Sequence, residues 1–252
     1  MAAVNPWERT ELLIGTDGLH TLASARVMVV GLGGVGSYAV EALARAGIGA
    51  LDLVDGDVLT YSNLNRQLLA TQKTIGQAKV SAAAQRTAEI NPQCRVTEWN
   101  LWVTPDNAMN LLQTKPDYII DAIDDLTAKA ALIKAAQQVG VPTISVLGTA
   151  RRIDPWTGFQ HADISATHTC PLARSLRKRL RQLGIEKGVS VIYTPQPPYI
   201  LPMSSEEISK DEWSDASRTY SKQPLGSISY VPGQAGLIAA GIAITSLLDK
   251  AR

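Results

Sequence analysis

A glycine-rich turn between an apolar strand and a helix constrains the fold of this chain more than any other feature. Directly after the apolar run at residues 27–30 come four glycines, Gly31, Gly33, Gly34 and Gly36. A second apolar run, residues 50–54, ends at Asp55, 19 residues after the last glycine. This spacing is typical of one half of a Rossmann-type fold, in which a phosphate approaches backbone amides at the positive end of a helix. The glycines alone favour NAD or FAD as readily as ATP.

Short apolar runs alternate with longer helical patterns through the first 150 residues. Strands are predicted at 27–30, 50–54, 118–123 and 143–147, and helices at 34–46, 75–90 and 126–139. This alternation predicts an α/β fold with a Rossmann-like, mixed and mostly parallel central sheet and helices on both faces. After residue 150 the pattern changes, and an antiparallel second half is predicted. Its strands are predicted at 159–164, 189–193 and 227–231, and its helices at 172–183 and 234–248.

The length and composition allow one substantial core. The chain has 252 residues, of which 45% are hydrophobic, and we expect a single domain over residues 1–252. We predict a nucleotide-binding half at about 1–150 and a substrate half at about 151–252, with a proline-rich flexible loop at about 195–224. The closing helix is predicted to be shorter than the roughly 20 residues that cross a bilayer. This favours a buried core helix without stable membrane insertion, with docking on a membrane surface as the alternative.

The charge and cysteine content narrow the cellular setting. A formal net charge of +1 provides no overall field that attracts nucleic acid, so a polyanionic partner requires a local basic patch. Cys94 and Cys170 lie far apart and form no Cys-x-x-Cys pair, which suits a reducing cytosol and excludes a four-cysteine zinc site. The first residues lack the pattern of a secretory signal. We therefore expect a cytoplasmic protein.

A cluster of polar and charged residues follows the second strand. Its members are Asp57, Ser62, Asn63, Asn65, Arg66, Gln67 and Lys79. A pyrophosphate is largely satisfied by backbone amides, whereas a triphosphate needs counter-charge for reaction, which Arg66 and Lys79 can supply. Asp55 stands where a carboxylate accepts hydrogen bonds from ribose hydroxyls. The set favours ATP as the ligand, although either cation alone is also common on a solvated surface.

Two adjacent carboxylates follow the third strand. Asp124 and Asp125 come at its carboxyl end, where α/β sheets bind their ligands, and Asp121 lies within the strand. A carboxylate here can hold Mg²⁺ against phosphates. It can also cap the helix predicted to begin near residue 126. Both roles are compatible if each of the two aspartates takes one.

The helix predicted at 172–183 has a strongly basic face. Its stripe consists of Arg174, Arg177, Lys178 and Arg181, which follow helical spacing opposite a row of leucines. Such a stripe can follow an RNA backbone, and it can equally be a solvated face. Just before this helix, His168 and Cys170 could form an imidazole-assisted thiol nucleophile, but a position at the helix start explains Cys170 without catalysis. Cys94 is predicted in the core.

The ordered motifs resemble the adenylating superfamily of ubiquitin-activating-type (E1-like) enzymes, the group of ThiF, MoeB and HesA. The resemblance covers most of the chain and rests on the glycine turn, Asp55 with Asp57, the segment 62–67, Gly76 with Lys79, and Asp121 with Asp124. It implies an eight-stranded mixed sheet, a homodimer, and conversion of a carboxylate into an acyl adenylate with ATP and Mg²⁺. It also implies that Gly34, Asp55, the segment 62–66, Lys79 and Asp124 bind ATP or the metal, and that Arg9 reaches across the dimer toward the phosphates.

Later motifs are similar to one branch of this superfamily, the tRNA threonylcarbamoyladenosine dehydratases. They are Asp163-Ile164-x-x-Thr167, the segment 170–185 and the segment 225–232. This similarity implies adenylation of the threonylcarbamoyl carboxylate at tRNA position 37, followed by closure to a cyclic ester, with the tRNA on the basic helix. It also implies that no thiol is needed at Cys170.

Two other functions remain open from the sequence. The first is activation of the C-terminus of a ubiquitin-like sulfur-carrier protein, with Cys170 taking part. Relatives that activate sulfur carriers usually hold zinc through two Cys-x-x-Cys pairs, and this sequence contains neither. The second is a nucleotide-binding module without catalysis. The combination of Asp124, Lys79 and Arg66 argues against it, because binding alone does not require this concentration of charge.

Overall fold

A seven-stranded sheet forms the centre of the computed structural model, which describes residues 5–199 and 225–250. Its strands are β1 (Arg26–Val30), β2 (Ala50–Val54), β3 (Arg95–Trp99), β4 (Tyr118–Asp121), β5 (Thr143–Val146), β6 (Gln160–Asp163) and β7 (Ser190–Tyr193). They lie in the order β3-β2-β1-β4-β5-β7-β6. Neighbouring strands run parallel except β6 and β7, which are antiparallel. The predicted α/β class with a mostly parallel sheet is confirmed.

Helices cover both faces of this sheet. They are α1 (Glu8–Ser24), α2 (Gly36–Arg45), α3 (Lys79–Ile90), α4 (Ala108–Leu111), α5 (Leu126–Val139), α6 (Pro171–Gln182) and α7 (Tyr230–Lys250). The sequence pattern does not predict α1, whose helical geometry is interrupted at Gly15 with φ 76°. It places Lys79 in a first helical turn, and Lys79 is indeed the first residue of α3.

The two faces of the sheet bury alternate residues of the same strands. On β1, Val27 and Val29 belong to the core that contains α2, α3 and α7. Met28 and Val30 belong to the core that contains α4 and α5. A third cluster joins α5 and α6 to β7. All four β1 residues are buried because a parallel sheet covered on both faces leaves no solvated side. The carboxyl ends of β1, β2, β4 and β5 therefore meet at one edge.

The expectations for the second half of the sheet need correction. The strand predicted at 227–231 is wrong, because α7 begins at Tyr230 and the described residues form seven strands rather than the eight that the resemblance implies. Pro232 fits the first turn of a helix, where its missing N–H has no partner to lose. A Cβ on Gly236 would lie 2.2 Å from the Val35 carbonyl oxygen, so close packing on α2 selects the helix. Antiparallel pairing holds for β6 and β7, whereas β7 runs parallel to β5.

Helix α7 is longer than predicted. With 21 residues and a mean hydropathy of 1.6, it is the one helix of the described ranges that is long and apolar enough to cross a membrane. Half of it is buried inside the molecule, and core helices of soluble proteins meet the same criterion. Ala235, Ala239 and Ala243 are fully buried in the core that includes α2. This packing supports the interpretation of α7 as a core helix. The predicted loop at 195–224 lies, from residue 200 onward, outside the described residues.

Candidate nucleotide-binding site

The glycine turn after β1 is closely packed at Gly31, Gly34 and Gly36 and open at Gly33. A Cβ on Gly31, which has φ +88°, would lie 2.7 Å from the Ala122 carbonyl oxygen, so the turn touches the loop after β4. At Gly36 a Cβ would lie 1.8 Å from the carbonyl oxygen of Gly31. At Gly33 the nearest atom would be Nε2 of Gln67, at 3.8 Å. At Gly34 a Cβ would lie 3.2 Å from the ring of Pro232. The turn is therefore open at Gly33, where it leaves room for a phosphate at the start of α2.

Asp55, at the end of β2, ties the glycine turn to the next segment. Its Oδ2 accepts a hydrogen bond of 2.7 Å from the backbone N–H of Leu32, and its Oδ1 accepts one of 2.8 Å from that of Asp57. The Lys79 ammonium lies 2.8 Å from Oδ2 of Asp57 and 3.6 Å from Oδ2 of Asp55. Lys79 and Asp55 are buried, whereas the side chain of Asp57 is 47% exposed. The structure thus brings these three predicted residues together at the edge of the sheet.

Arg66 and Gln67, at the end of the segment 62–67, keep hydrogen-bonding capacity that a ligand can use. Gln67 is buried beside the turn, and its Oε1 has no hydrogen-bond partner among the residues that the structure describes. The Arg66 guanidinium donates to the carbonyl oxygen of Ser62 at 2.8 Å and to Oδ1 of Asn65 at 3.0 Å. No described carboxylate pairs with Arg66, so its charge is available to an anionic ligand.

The asparagines of this segment bond to backbone groups, one of them nearby and the other distant in sequence. Oδ1 of Asn63 accepts a hydrogen bond from the N–H of Thr60 and caps the short 3₁₀ turn at Tyr61–Asn63. Nδ2 of Asn65 donates to the carbonyl oxygen of Ser227, just before α7, at 2.9 Å. The segment is therefore fixed at both ends, and Arg66 and Gln67 follow directly after these anchors.

A buried ion pair that the sequence analysis missed shapes the loop after β4. Lys129, on α5, lies 3.0 Å from Oδ2 of Asp121, and both side chains are completely buried. The same ammonium donates to the carbonyl oxygen of Ile123 at 2.9 Å, and Ser145 donates to Oδ2 of Asp121 at 2.7 Å. Lys129 follows the strand aspartate by eight residues on a helix that also carries the exposed Lys134, so no local signal in the sequence distinguishes the buried lysine. The pair fixes the loop that touches Gly31.

The two aspartates after Asp121 have different environments. Oδ1 of Asp125 accepts a hydrogen bond of 2.8 Å from the N–H of Ala128 and caps α5, as one of the two predicted roles requires. Asp124 is exposed and has no hydrogen bond or ion pair with any described residue. Its carboxylate is therefore free to bind a cation at the carboxyl edge of the sheet.

Arg9 and the basic residues of α6 make no hydrogen bond or ion pair with the described residues around the glycine turn. Arg9 is exposed near the start of α1 and bonds to no side chain within the described part of the chain. On α6, Arg174, Lys178 and Arg181 are likewise exposed and unpaired among the described residues. Arg177 differs, because its guanidinium donates to Thr167, including the carbonyl oxygen at 2.9 Å. Three of the four predicted cations thus face solvent, and one anchors a loop.

The two cysteines do not form a nucleophilic site. Cys170 is buried at the N-cap of α6. Nδ1 of His168 lies 2.8 Å from Oγ1 of Thr169, and the imidazole ring packs edge-on against Tyr193. No described hydrogen bond joins this imidazole to the thiol. Burial raises the pKa of the Cys94 thiol to about 11, which keeps it protonated at neutral pH and fits its predicted place in the core.

The fold and the glycine-turn site define the class of the protein. The chain belongs to the ThiF family, which it matches over residues 8–252. A tRNA threonylcarbamoyladenosine dehydratase of Bacillus subtilis (strain 168) is 42% identical over 246 residues, or 97% of this chain and 95% of that protein. This match confirms the resemblance inferred from the motifs.

Solved structures of a related enzyme have the same fold as this protein. The crystal structure of the E. coli tRNA N6-threonylcarbamoyladenosine dehydratase TcdA in complex with ATP has a TM-score of 0.86 and 33% identity, and covers 100% of this chain and 98% of that one. The complex of the same enzyme with AMP has a TM-score of 0.86 and 34% identity, with the same coverage. The fold that carries the glycine turn is therefore shared with proteins crystallised with adenine nucleotides.

Proposed function

We propose that this protein is an ATP-dependent tRNA threonylcarbamoyladenosine dehydratase. It adenylates the threonylcarbamoyl carboxylate at tRNA position 37 and then closes the side chain into a cyclic ester. The observation that carries the proposal is the opening at Gly33, on the sheet edge that also carries Lys79, Arg66 and Asp124, which is unpaired among the described residues. The names of the similar enzymes and their complexes with ATP and AMP support it.

ATP is bound by backbone and side chains in distinct roles. The backbone amides at Gly33 and Gly34 bind the phosphates at the positive end of α2, and Asp55 accepts hydrogen bonds from the ribose. Arg66 and Lys79 neutralise the charge that develops as pyrophosphate leaves. For Lys79 this requires that Asp57 yields part of its ion pair, which its exposure permits. Arg9 of a second subunit completes the phosphate site in a homodimer.

Asp124 fits the requirements of a nucleotide-bound magnesium ion. Mg²⁺ is usually held by one or two carboxylates together with substrate phosphates and water, so a single free carboxylate beside the phosphate site is sufficient. Asp124 has no competing hydrogen bond among the described residues. When bound, the ion supplies charge stabilisation at the phosphates. Asp125 does not share this role, because it caps α5.

The reaction consists of two displacements on the substrate. An oxygen of the threonylcarbamoyl carboxylate attacks the α-phosphorus of ATP, and the bond to pyrophosphate breaks. The ureido oxygen then attacks the activated carbonyl carbon, the adjacent N–H loses its proton, and AMP leaves with the former carboxylate oxygen. Both reacting groups belong to one nucleoside, so proximity replaces a covalent enzyme intermediate. This mechanism needs no thiol, in keeping with the burial of Cys170.

The exposed cations of α6 bind the tRNA. The protein acts in the cytoplasm, where its tRNA substrate is found. Arg174, Lys178 and Arg181 present positive charge along one face, and phosphate contacts of this kind supply affinity without sequence reading. Arg177 adds charge to this face, but its donors are used by the loop at Thr167. The helix thus offers three free contacts to a nucleic acid backbone.

The test is to measure AMP formation from ATP with alternative acceptors. Purified protein is incubated with ATP and Mg²⁺ and either tRNA that carries threonylcarbamoyladenosine, the same tRNA without that group, or a ubiquitin-like carrier protein with a free C-terminus. We expect AMP with the modified tRNA and background with the other two. AMP formation with the carrier protein alone would establish the sulfur-carrier alternative instead. ATP binding without AMP in every mixture would show a module without catalysis.

A further inference from the structure

One buried cation among the described residues lacks the carboxylate partner that buried cations require. Within residues 5–199 and 225–250, three cationic residues are buried, namely Lys79, Lys129 and Arg152. Lys79 pairs with Asp57 and Lys129 with Asp121. Arg152 is 4% exposed and has no carboxylate partner among the described residues. A buried charge without an opposite charge is unfavourable, so this guanidinium is suited to an anion that arrives with a ligand.

The bonding of Arg152 leaves donors unused. Its Nη1 donates to the carbonyl oxygens of Ala150 at 3.1 Å and Arg151 at 3.3 Å, both in its own segment. Its Nε is buried without a hydrogen-bond partner in the described part of the chain. Burial lowers the pKa of this guanidinium, and the nearby Cys170 partly offsets that effect. Arginine remains charged in proteins, so the unused donors present a positive charge.

Arg152 lies at the edge of the sheet that carries the nucleotide site. It follows β5, which pairs with β4, the strand that leads to Asp124. The N–H of Arg151 donates to the carbonyl oxygen of Gly226 at 2.8 Å, while Asn65 donates to the carbonyl oxygen of Ser227 at 2.9 Å. The residues next to Arg152 and next to Arg66 therefore bond to two consecutive residues of one segment. The segment that carries Arg152 is thus tied to the segment that carries Arg66 at this edge of the sheet.

The backbone around Arg152 is fixed in an unusual conformation. Arg151 has φ 55°, a region that side-chain-bearing residues rarely adopt. It is held there by hydrogen bonds to Gly226 and from Tyr199, and the Tyr230 hydroxyl donates to the carbonyl oxygen of Ile153 at 2.6 Å. Strain that the surrounding structure maintains in this way is typical of functional positions. The backbone that carries Arg152 is therefore fixed before a ligand binds.

We propose that Arg152 binds the carboxylate of the substrate and positions it for attack on the α-phosphorus of ATP. A guanidinium with free donors suits a carboxylate because it can form two parallel hydrogen bonds. This inference rests on the proposed function and adds to it the residue that distinguishes a threonylcarbamoyl group from an unmodified adenosine. Arg152 is thus a substrate-binding residue separate from the cations that face ATP.

The test compares affinities for two tRNAs that differ in the carboxylate. Dissociation constants are measured for the tRNA with threonylcarbamoyladenosine and for the same tRNA without it, using wild type, Arg152→Met and Arg151→Met. Wild type is expected to prefer the modified tRNA, and Arg152→Met to reduce this preference by about 10-fold or more. Arg151→Met is the matched control, because Arg151 is exposed in the same segment, and it should keep the preference. The dissociation constant for ATP should be unchanged in both variants.

The outcomes separate this inference from the proposed function. If Arg152→Met weakens both tRNAs equally, Arg152 serves the loop or a tRNA phosphate, and the inference is overturned. A wild type without preference for the modified tRNA also overturns it. If Arg152→Met does not fold, Arg152→Gln is measured in the same way, because its amide can still donate to the carbonyl oxygens of residues 150 and 151 without a charge. A wild type that forms no cyclic nucleoside contradicts the proposed function itself, whereas an active wild type with an unchanged preference in the variant contradicts only the role of Arg152.

Discussion

Helices α3 and α5, which follow β2 and β4, each carry a buried lysine beside an aspartate, yet the two lysines differ in what surrounds them. The side chains of Lys129 and Asp121 are completely buried, and the Lys129 ammonium also donates hydrogen bonds to backbone carbonyl oxygens. Lys79 pairs with Asp57, whose side chain is 47% exposed. The comparison teaches that the lysine after β4 fixes the site, whereas the lysine after β2 can exchange its partner for a ligand phosphate.

The largest effect is expected for Lys129→Met. This change leaves the Asp121 carboxylate buried without a counter-charge, which should lower the free energy of unfolding by about 3–5 kcal/mol. Urea unfolding followed by circular dichroism measures it. The control is Lys134→Met, an exposed lysine of the same helix, which should stay within about 0.5 kcal/mol of wild type. A loss below about 1 kcal/mol for Lys129→Met would show that the pair is not structural.

Lys79→Met should lower activity more than stability, in contrast to Lys129→Met. We expect kcat/KM for AMP formation to fall by about 10²–10³-fold, as for loss of one preorganised charge, because the proposed function assigns Lys79 to the reacting phosphates. The free energy of unfolding should change less than in Lys129→Met, since the released Asp57 is solvated and Asp55 keeps its hydrogen bonds from the N–H groups of Leu32 and Asp57. Steady-state kinetics with modified tRNA measures the effect, and Lys73→Met, an exposed lysine six residues earlier, is the control. An active Lys79→Met would remove the distinction between the two lysines.

Asp124→Ala tests the exposed carboxylate in the loop that the buried Lys129–Asp121 pair fixes. Because Asp124 is exposed and unpaired among the described residues, its loss should leave the free energy of unfolding within about 0.5 kcal/mol of wild type. AMP formation should fall by about 100-fold, and more Mg²⁺ should be needed for half-maximal rate. A magnesium titration of the initial rate measures both changes. An unchanged magnesium dependence would exclude the proposed metal role.

Asp125→Ala is expected to have the smallest effect. In contrast to Asp124→Ala, it should lower stability and leave activity unchanged. Loss of the capping hydrogen bond from the Ala128 N–H to Asp125 should lower the free energy of unfolding by about 1 kcal/mol. The rate of AMP formation should stay near that of wild type, because Asp125 faces its own helix. Thermal unfolding and initial rates on the same preparation measure the two quantities. Loss of activity with unchanged stability would mean that the two neighbouring aspartates have been assigned the wrong way round.

The parts of the site that the sequence predicts correctly are those set by local geometry. The glycine turn, Asp55 at the end of β2 and Lys79 at the start of α3 follow from chain direction and spacing over a few residues. The capping role of Asp125 follows for the same reason, since a cap depends on the next three residues. Local signals therefore give the position of each group along the chain.

Tertiary packing decides what the sequence leaves undetermined or predicts wrongly. The segment 227–231 has residues common in strands, but packing of Gly236 against Val35 favours a helix from Tyr230. The inward orientation of Arg177 depends on the loop at Thr167, ten residues before it. The burial of Arg152 and of Lys129 depends on contacts between elements distant in sequence. Neither of these two residues carries a local signal that identifies its role.

The most direct test of the central claim is mass analysis of the nucleosides of modified tRNA after incubation with the protein, ATP and Mg²⁺. The account predicts that threonylcarbamoyladenosine is converted into a product lighter by one water, with one AMP and one pyrophosphate formed for each conversion. The same incubation with Asp124→Ala should leave the nucleoside largely unconverted. Consumption of ATP with no change in the mass of the nucleoside would contradict the account.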